Sequence, residues 1–241
     1  MFINKRVLVV SPARGGSKGV ALKNLRQLNG VPLIAHVGRV VQALPYVDRA
    51  IVSTDHQGIA DVAIASGLEC PFFRPEKLSG DRIADWDVLN HALLTMESID
   101  HVQYDIIVML QPTSPFRKPA DVTSVIERLI IGKYDSVWTI SLTDSKQHPV
   151  KQLLFDGSQM RYYDKDGGKI IARQQLPSVY HRNGIAYAIT RECLVDKKSI
   201  IGSNASAIVI EGSMVNIDTE EDIIWAEFLL SRSRMAINRD L

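Results

Sequence analysis

Cysteine is nearly absent from this 241-residue chain, which carries only Cys70 and Cys193, far apart and with no His or Cys beside either. That excludes a disulfide framework and a Cys/His metal cluster, and it makes a reducing, cytoplasmic setting the expectation. Excess charge is missing too. A formal net charge of +1 gives no bulk attraction to nucleic acid or to an anionic membrane, so any basic site must be local. No apolar run approaches the roughly 20 residues that cross a bilayer, and the apolar stretch in the opening MFINKRVLVV is too short for a signal peptide. Internal repeats and low-complexity linkers are absent, so residues 1–241 read as one domain. Neither the Walker pattern nor the dinucleotide pattern G-x-G-x-x-G occurs. No Ser/His/Asp or Cys/His arrangement stands out for covalent catalysis.

What is present is a rhythm. Short β-branched runs at Arg6–Val10, Ala50–Ser53, Asp105–Leu110 and Asp135–Ile140 alternate with segments whose apolar residues recur at helical spacing. Those helical stripes run through Leu33–Leu44, His56–Ser66, Val88–Met96 and Val122–Ile130, and a short third strand is expected at Glu69–Phe73. Strands that lack polar alternation and alternate with helices predict an α/β fold, a Rossmann-like, mainly parallel sheet covered by helices on both faces. The rhythm breaks between Thr143 and Arg182, a polar stretch too long for a plain connection. It reads as a flexible lid or as an insertion that packs elsewhere, such as on a second subunit. Strand pattern resumes at Gly184–Ile189 and Ala207–Ile210, and an apolar helix begins near Glu220.

In open α/β sheets the ligand crevice lies beyond the carboxyl ends of the strands. Four polar clusters fall at such positions: ARGGSKG after the first strand, Ser53-Thr54-Asp55, Gln111 to Pro115, and Asn216-Ile217-Asp218 before the last helix. In the first, Gly15 and Gly16 predict unusual backbone angles and an anion-holding nest of N–H groups. Arg14, Lys18 and Lys23 add cations suited to a polyphosphate.

The blocks SPARGGSKGVALKNLRQLNGVPLIAH, IVSTDHQGIADVA, FRPEKLSGD, LQPTSPFR, RQQLP with RNGIAYAI, and VNIDTEED occur in this order. Through them the chain resembles the acylneuraminate cytidylyltransferases (CMP-N-acetylneuraminic acid synthetases) and their legionaminate and pseudaminate relatives, from about Val7 to Glu227. The resemblance implies a nucleotide-diphospho-sugar transferase type of fold. It implies transfer of CMP from CTP to a nonulosonic acid, with Mg²⁺ required and pyrophosphate released. The anomeric hydroxyl attacks the α-phosphorus, a chemistry served by positioning and electrostatics. The same chemistry on legionaminate, pseudaminate or 3-deoxy-octulosonate, or a non-catalytic nucleotide-binding role, are the alternatives.

Residue by residue, the resemblance makes Arg14 and Lys23 stabilisers of the α-phosphate and the leaving pyrophosphate. Gly15, Gly16, Ser17, Lys18, Asn24, Arg74 and Asp81 become nucleotide contacts. Gln111 faces the acceptor sugar. Arg173, His181 or Arg182 holds its carboxylate, since His181 stands where some relatives carry arginine. Asp218 is the Mg²⁺ ligand, with Thr219 capping the last helix. Relatives commonly read D-I-D where this chain has Asn216-Ile217-Asp218, so Asn216 offers the metal a carbonyl oxygen but no charge. Residues 143–182 resemble the family's dimerisation arm, which implies a homodimer. His148, at the arm's entrance, reads as structural.

Overall fold

The computed structural model describes residues 1–212 and 214–237. Ten strands and six α-helices follow one another along it: β1 (Val7–Pro12), β2 (Gln27–Leu28), β3 (Val31–Pro32), α1 (Leu33–Gln42), β4 (Arg49–Ser53), α2 (Gln57–Ala65), α3 (Asp85–Asp100) and β5 (Ile106–Met109) come first. Then follow α4 (Pro119–Gly132), β6 (Ser136–Leu142), β7 (Leu153–Phe155), β8 (Met160–Tyr162), β9 (Tyr180–Thr190), α5 (Arg191–Val195), β10 (Ala205–Val209) and α6 (Glu220–Ile237). Six strands form the central sheet in the order β10-β6-β9-β5-β1-β4. All pairings are parallel except the two made by β9, which runs antiparallel between β5 and β6.

The apolar runs of β1 and β5 exist because both faces of the sheet are covered. Val7 and Val9 pack with Ile34 and Val37 of α1, Ile59 of α2 and Val125 of α4. Leu8 and Val10, pointing the other way, pack with Leu89, Leu93 and Met96 of α3 and Leu194 of α5. Each of these side chains is fully buried or nearly so, and each contributes roughly 1.5–3 kcal/mol relative to exposure.

A third, smaller core governs the site. Val20 from the first loop, Leu28 from β2 and Leu33 from α1 pack against Val215, Ile217, Ile223 and Ala226. The β2–β3 hairpin turns through Asn29 and Gly30, both with positive φ (54° and 77°), as an Asn-Gly turn requires. This cluster fastens the first loop to the start of α6, two regions nearly 200 residues apart.

Two expectations need correction. At Glu69–Phe73 a single parallel bridge, Glu69 to Ile51, replaces the third strand. Pro71 has no N–H to continue the ladder, so the segment covers the edge of β4 without extending the sheet. The irregular segment also ends sooner than Arg182, because β9 begins at Tyr180 and takes His181 and Arg182 into the sheet. Within that segment β7 and β8 form a small antiparallel hairpin. Buried His148 ties the segment's two ends together, accepting from Val150 N at Nδ1 (3.2 Å) and donating from Nε2 to the Pro177 carbonyl (3.1 Å). Among the described residues no helix is long and apolar enough to cross a membrane.

Candidate active site

Beyond the carboxyl ends of β1 and β5 lies a cavity of about 580 Å³, which Ser53, Thr54 and Asp55 at the end of β4 do not line. Arg14, Ser17, Lys18, Lys23, Asn24, Arg74, Asp81, Gln111, Asn216 and Asp218 all line it, whereas Gly15, Gly16, Arg173, His181 and Arg182 do not. Arg14 and Asp218, from opposite ends of the chain, face one space.

The C-terminal side of the cavity is built by alternation. Val215 and Ile217 are buried while Asn216 and Asp218 are exposed, so an extended segment turns its two oxygen-bearing side chains the same way. Ile217 N–H is fixed to the Thr113 carbonyl at 2.8 Å. Helix α6 then starts with a reciprocal cap: Thr219 Oγ1 accepts from Asp222 N, while Asp222 Oδ2 accepts from Thr219 N (2.8 Å) and from Asp218 N (2.9 Å). Burial pushes the Asp222 carboxyl up, but these bonds outweigh it and hold the group below its ordinary value. Gly19 presses on this corner. A Cβ there would lie 2.4 Å from the Asp218 carbonyl oxygen, so only glycine lets the loop approach.

Anions and cations are paired across the cavity. Lys23 Nζ lies 2.7 Å from Asp218 Oδ1, and Arg14 Nη2 lies 2.9 Å from Asp81 Oδ1. Lys18 contacts the other Asp81 oxygen. The hydrogen bond from Lys18, reinforced by Arg14, holds the Asp81 carboxyl below its usual range. Arg74 is different. Only 5 % of it is exposed, and its Nε and Nη2 have no hydrogen-bond partner. Burial lowers its pKa, Asp55 opposes that shift, and Arg14 adds to it. A buried guanidinium with unpartnered donors on a cavity wall is suited to an acceptor-rich ligand.

Gly15 and Gly16 do not behave as expected. Neither takes the left-handed backbone. The Gly15 N–H donates to Asp55 Oδ1 at 2.8 Å, and Ser17 N–H to the Gly15 carbonyl at 3.0 Å, so these two donors are already engaged instead of forming a nest. Space at 15 is tight, since a Cβ would sit 3.0 Å from His56 Cβ and Cδ2.

Gln111 sits on a platform the sequence did not reveal. In β9 a bulge opposite Thr139 places Gly184 at φ 72°, and a Cβ there would lie 2.4 Å from Ser114 Oγ and 2.5 Å from Gln111 Oε1. Buried Arg117 donates to the carbonyls of Gln111 (2.7 Å), Gly184 (2.9 Å) and Ile185, closing the junction. Burial lowers its pKa to about 9, which leaves it charged at neutral pH. Arg117 lies in LQPTSPFR, a block already singled out, but nothing local marks an arginine as buried.

The three carboxylate candidates separate. Arg173 lines another depression with Thr143 and His148, away from the main cavity. His181 Nδ1 lies 3.1 Å from Thr143 Oγ1. Arg182, one residue on and so facing the other side of the sheet, stacks over Trp138 and Tyr187 and reaches Asp85 at 2.8 Å. Asp85 lines the main cavity, so Arg182 alone of the three touches its wall.

For Mg²⁺, Asp218 and Asn216 present oxygen donors on one side of the cavity, and the Asp218 side chain is 65 % exposed. That donor set fits an ion held by one carboxylate and completed by phosphate oxygens and water. Among the described residues no three His, Cys, Asp or Glu side chains gather to hold a metal by themselves.

Comparison with known proteins agrees with this geometry. Residues 8–211 match the family model described as "Cytidylyltransferase". The chain is 33% identical to the CMP-N,N'-diacetyllegionaminic acid synthase of Legionella pneumophila, over 98% of each chain. It is 28% identical to an N-acylneuraminate cytidylyltransferase of Escherichia coli, over 90% of this chain and 50% of that protein. Among solved structures, a CMP:2-keto-3-deoxy-manno-octonic acid synthetase complexed with CTP superposes with a TM-score of 0.69 at 16% identity, covering 95% of this chain and 99% of the other. The fold is thus of the nucleotide-diphospho-sugar transferase type. With most of its length matched and the site's cations and carboxylate on one cavity, this chain belongs to the cytidylyltransferase family.

Proposed function

We propose that the protein is a CMP-nonulosonate synthetase, joining CTP and a nine-carbon α-keto acid sugar of the N-acylneuraminate or legionaminate type. The observation that carries this is the convergence of Arg14, Lys18, Lys23 and Arg74 with Asp218 and Gln111 around one cavity. A triphosphate competes with Asp81 and Asp218 for the cations those carboxylates hold. Arg14 and Lys23 are then free to stabilise charge on the α-phosphate and the leaving pyrophosphate. Gln111, rigidly seated by Arg117 and Gly184, both donates and accepts, as sugar hydroxyls need. The anomeric oxygen forms the new bond to phosphorus, the bond to the β-phosphate bridge breaks, and the hydroxyl proton passes to solvent. Asp218, with the Asn216 carbonyl, holds Mg²⁺, whose contribution is to neutralise phosphate charge.

The arm supports a homodimer. Phe155, Met160, Tyr163 and Ile171 are all exposed on it, Ile171 at 93 %. A second copy covering them also gives Arg173 a neighbouring cavity to reach. Two free cysteines and the use of CTP support a cytoplasmic location.

The test is to supply CTP, Mg²⁺ and a panel of acids (N-acetylneuraminate, diacetyllegionaminate, pseudaminate, 3-deoxy-octulosonate) and measure CMP-sugar and pyrophosphate. The 33% identity to a legionaminate enzyme supports trying that acid first. CTP binding without turnover of any acid would indicate a non-catalytic relative, and turnover confined to sugar-1-phosphates would refute the proposal.

A further inference from the structure

One peptide group in the first loop is held from both sides. The Arg14 carbonyl accepts from Asn24 Nδ2 at 3.0 Å, and the Gly15 N–H, on the same peptide plane, donates to Asp55 Oδ1 at 2.8 Å. With both polar ends clamped, the plane cannot rotate without breaking two hydrogen bonds. The direction in which the Arg14 side chain leaves the loop is thereby fixed.

Asp55 itself stands on a firm base. It follows β4, whose ladder to β1 continues through Ala13 N–H to the Ser53 carbonyl at 2.9 Å. Buried Thr54 accepts at Oγ1 from His56 N–H (3.2 Å), and its carbonyl accepts from Arg74 N–H (2.7 Å). The His56 ring fills the space beneath Gly15 and packs at its far edge on Gly58, where a Cβ would lie 3.2 Å from Cε1. The Asp55 carboxylate also acts favourably on the buried Arg74 guanidinium. Asp55 does not line the cavity.

We propose that Asp55 is a positioning residue for cytidylyl transfer. Through the Gly15 N–H it sets the peptide plane from which Arg14 reaches the triphosphate, without touching the nucleotide. This rests on the CTP site proposed above.

The test is a set of variants assayed for CMP-sugar formation with CTP varied, each checked by thermal melting. Asp55→Ala, which removes the acceptor, is expected to lower kcat about ten- to a hundredfold, the range of a hydrogen bond to a charged group, with a smaller change in KM for CTP. Asp55→Asn keeps an oxygen at the same place and is expected to stay within about threefold of the parent. In an Arg14→Ala background, Asp55→Ala should add less than about threefold, because its effect runs through Arg14. Multiplying penalties in that background, or an Asn variant as impaired as the Ala variant, overturns the proposal. If Asp55→Ala does not fold, Asp55→Glu, which displaces the carboxylate by one methylene, is expected to lose kcat in the same non-additive way. Hydrogen exchange of the Gly15 amide separates this idea from the parent function. Protection in the parent and Asp55→Asn but not in Asp55→Ala supports the clamp even if no acid is turned over. Equal exchange in all three refutes it even if turnover is found.

Discussion

Replacing Gly19 by alanine probes the contact on which the whole cavity depends. The added Cβ would lie 2.4 Å from the backbone carbonyl oxygen of Asp218, whereas ordinary contact begins near 3.4 Å. The loop and the α6 corner must separate by about 1 Å, and because the obstacle is backbone, no side-chain rotation relieves it. Overpacking of this kind costs about 1–3 kcal/mol, which lowers the melting temperature by roughly 2–10 °C for a chain of this size. The catalytic cost is expected to be larger. Lys23 and Asp218 sit on the two sides of that contact, 2.7 Å apart, and a misplacement of about 1 Å can cost on the order of a hundredfold in rate. The assay is pyrophosphate release with CTP and Mg²⁺ varied, alongside a thermal melt. Gly16→Ala is the control for stability, since nothing lies within 4 Å of a Cβ there, and it should leave the melting temperature unchanged. A Gly19→Ala protein with the parent's melting temperature and kcat/KM would falsify the claim that loop and corner meet.

Three other perturbations test separate links. Asn216→Asp adds a carboxylate beside Asp218 and is expected to reduce the Mg²⁺ concentration needed for half-maximal rate several-fold; an unchanged requirement in a magnesium titration would mean Asn216 is no ligand. Arg117→Met leaves the carbonyls of Gln111, Gly184 and Ile185 without their donor, so urea unfolding should show a loss of about 3–5 kcal/mol. A loss under 1 kcal/mol would contradict the buried network. Asp135, bonded first by Lys197 and then by the Asn204 and Ser203 N–H groups, has its carboxyl lowered from 3.8 to about 2. A depressed carboxyl contributes stability above its unfolded value and loses it as pH falls through the folded one. Acid titration of unfolding should therefore show a decline between about pH 4 and pH 2 that is smaller in Asp135→Asn.

How far the sequence anticipates this structure depends on how local each signal is. The runs of β1 and β5 are apolar on both faces because both faces are covered, and a one-dimensional pattern carries that directly. The strand order does not follow from it. Nothing in Gly184–Ile189 tells an antiparallel strand between β5 and β6 from another parallel one, since either is buried on both sides. At Glu69–Phe73 the apolar content suggested a strand, but Pro71 outranked it. The cations of the first loop, Gln111 and Asp218 were legible as polar residues at strand ends. Arg117 and Asp55 were not assigned roles, because each acts on a backbone group that only the folded chain brings near. At Gly15 the crowding comes from the His56 ring, a contact between two strand ends that no local pattern carries. Arg173 stands apart from the cavity because the path of the segment after β6, not its local composition, sets its position, whereas His181 is held in register with Ser141 by β9.

The bulge in β9 divides that strand into two independently registered lengths. Residues 187–189 are matched to the first half of β6, and residues 180–182 to its last turn before the arm, with the offset absorbed around Asn183 and Gly184. Residues 143–179 hang from the outer of these two lengths, so their growth, shortening or exchange need not slide the inner ladder or reach the Gly184 seat of Gln111. In a scaffold whose relatives act on different acids, such a joint lets that segment diversify as a cassette while the central sheet stays in place.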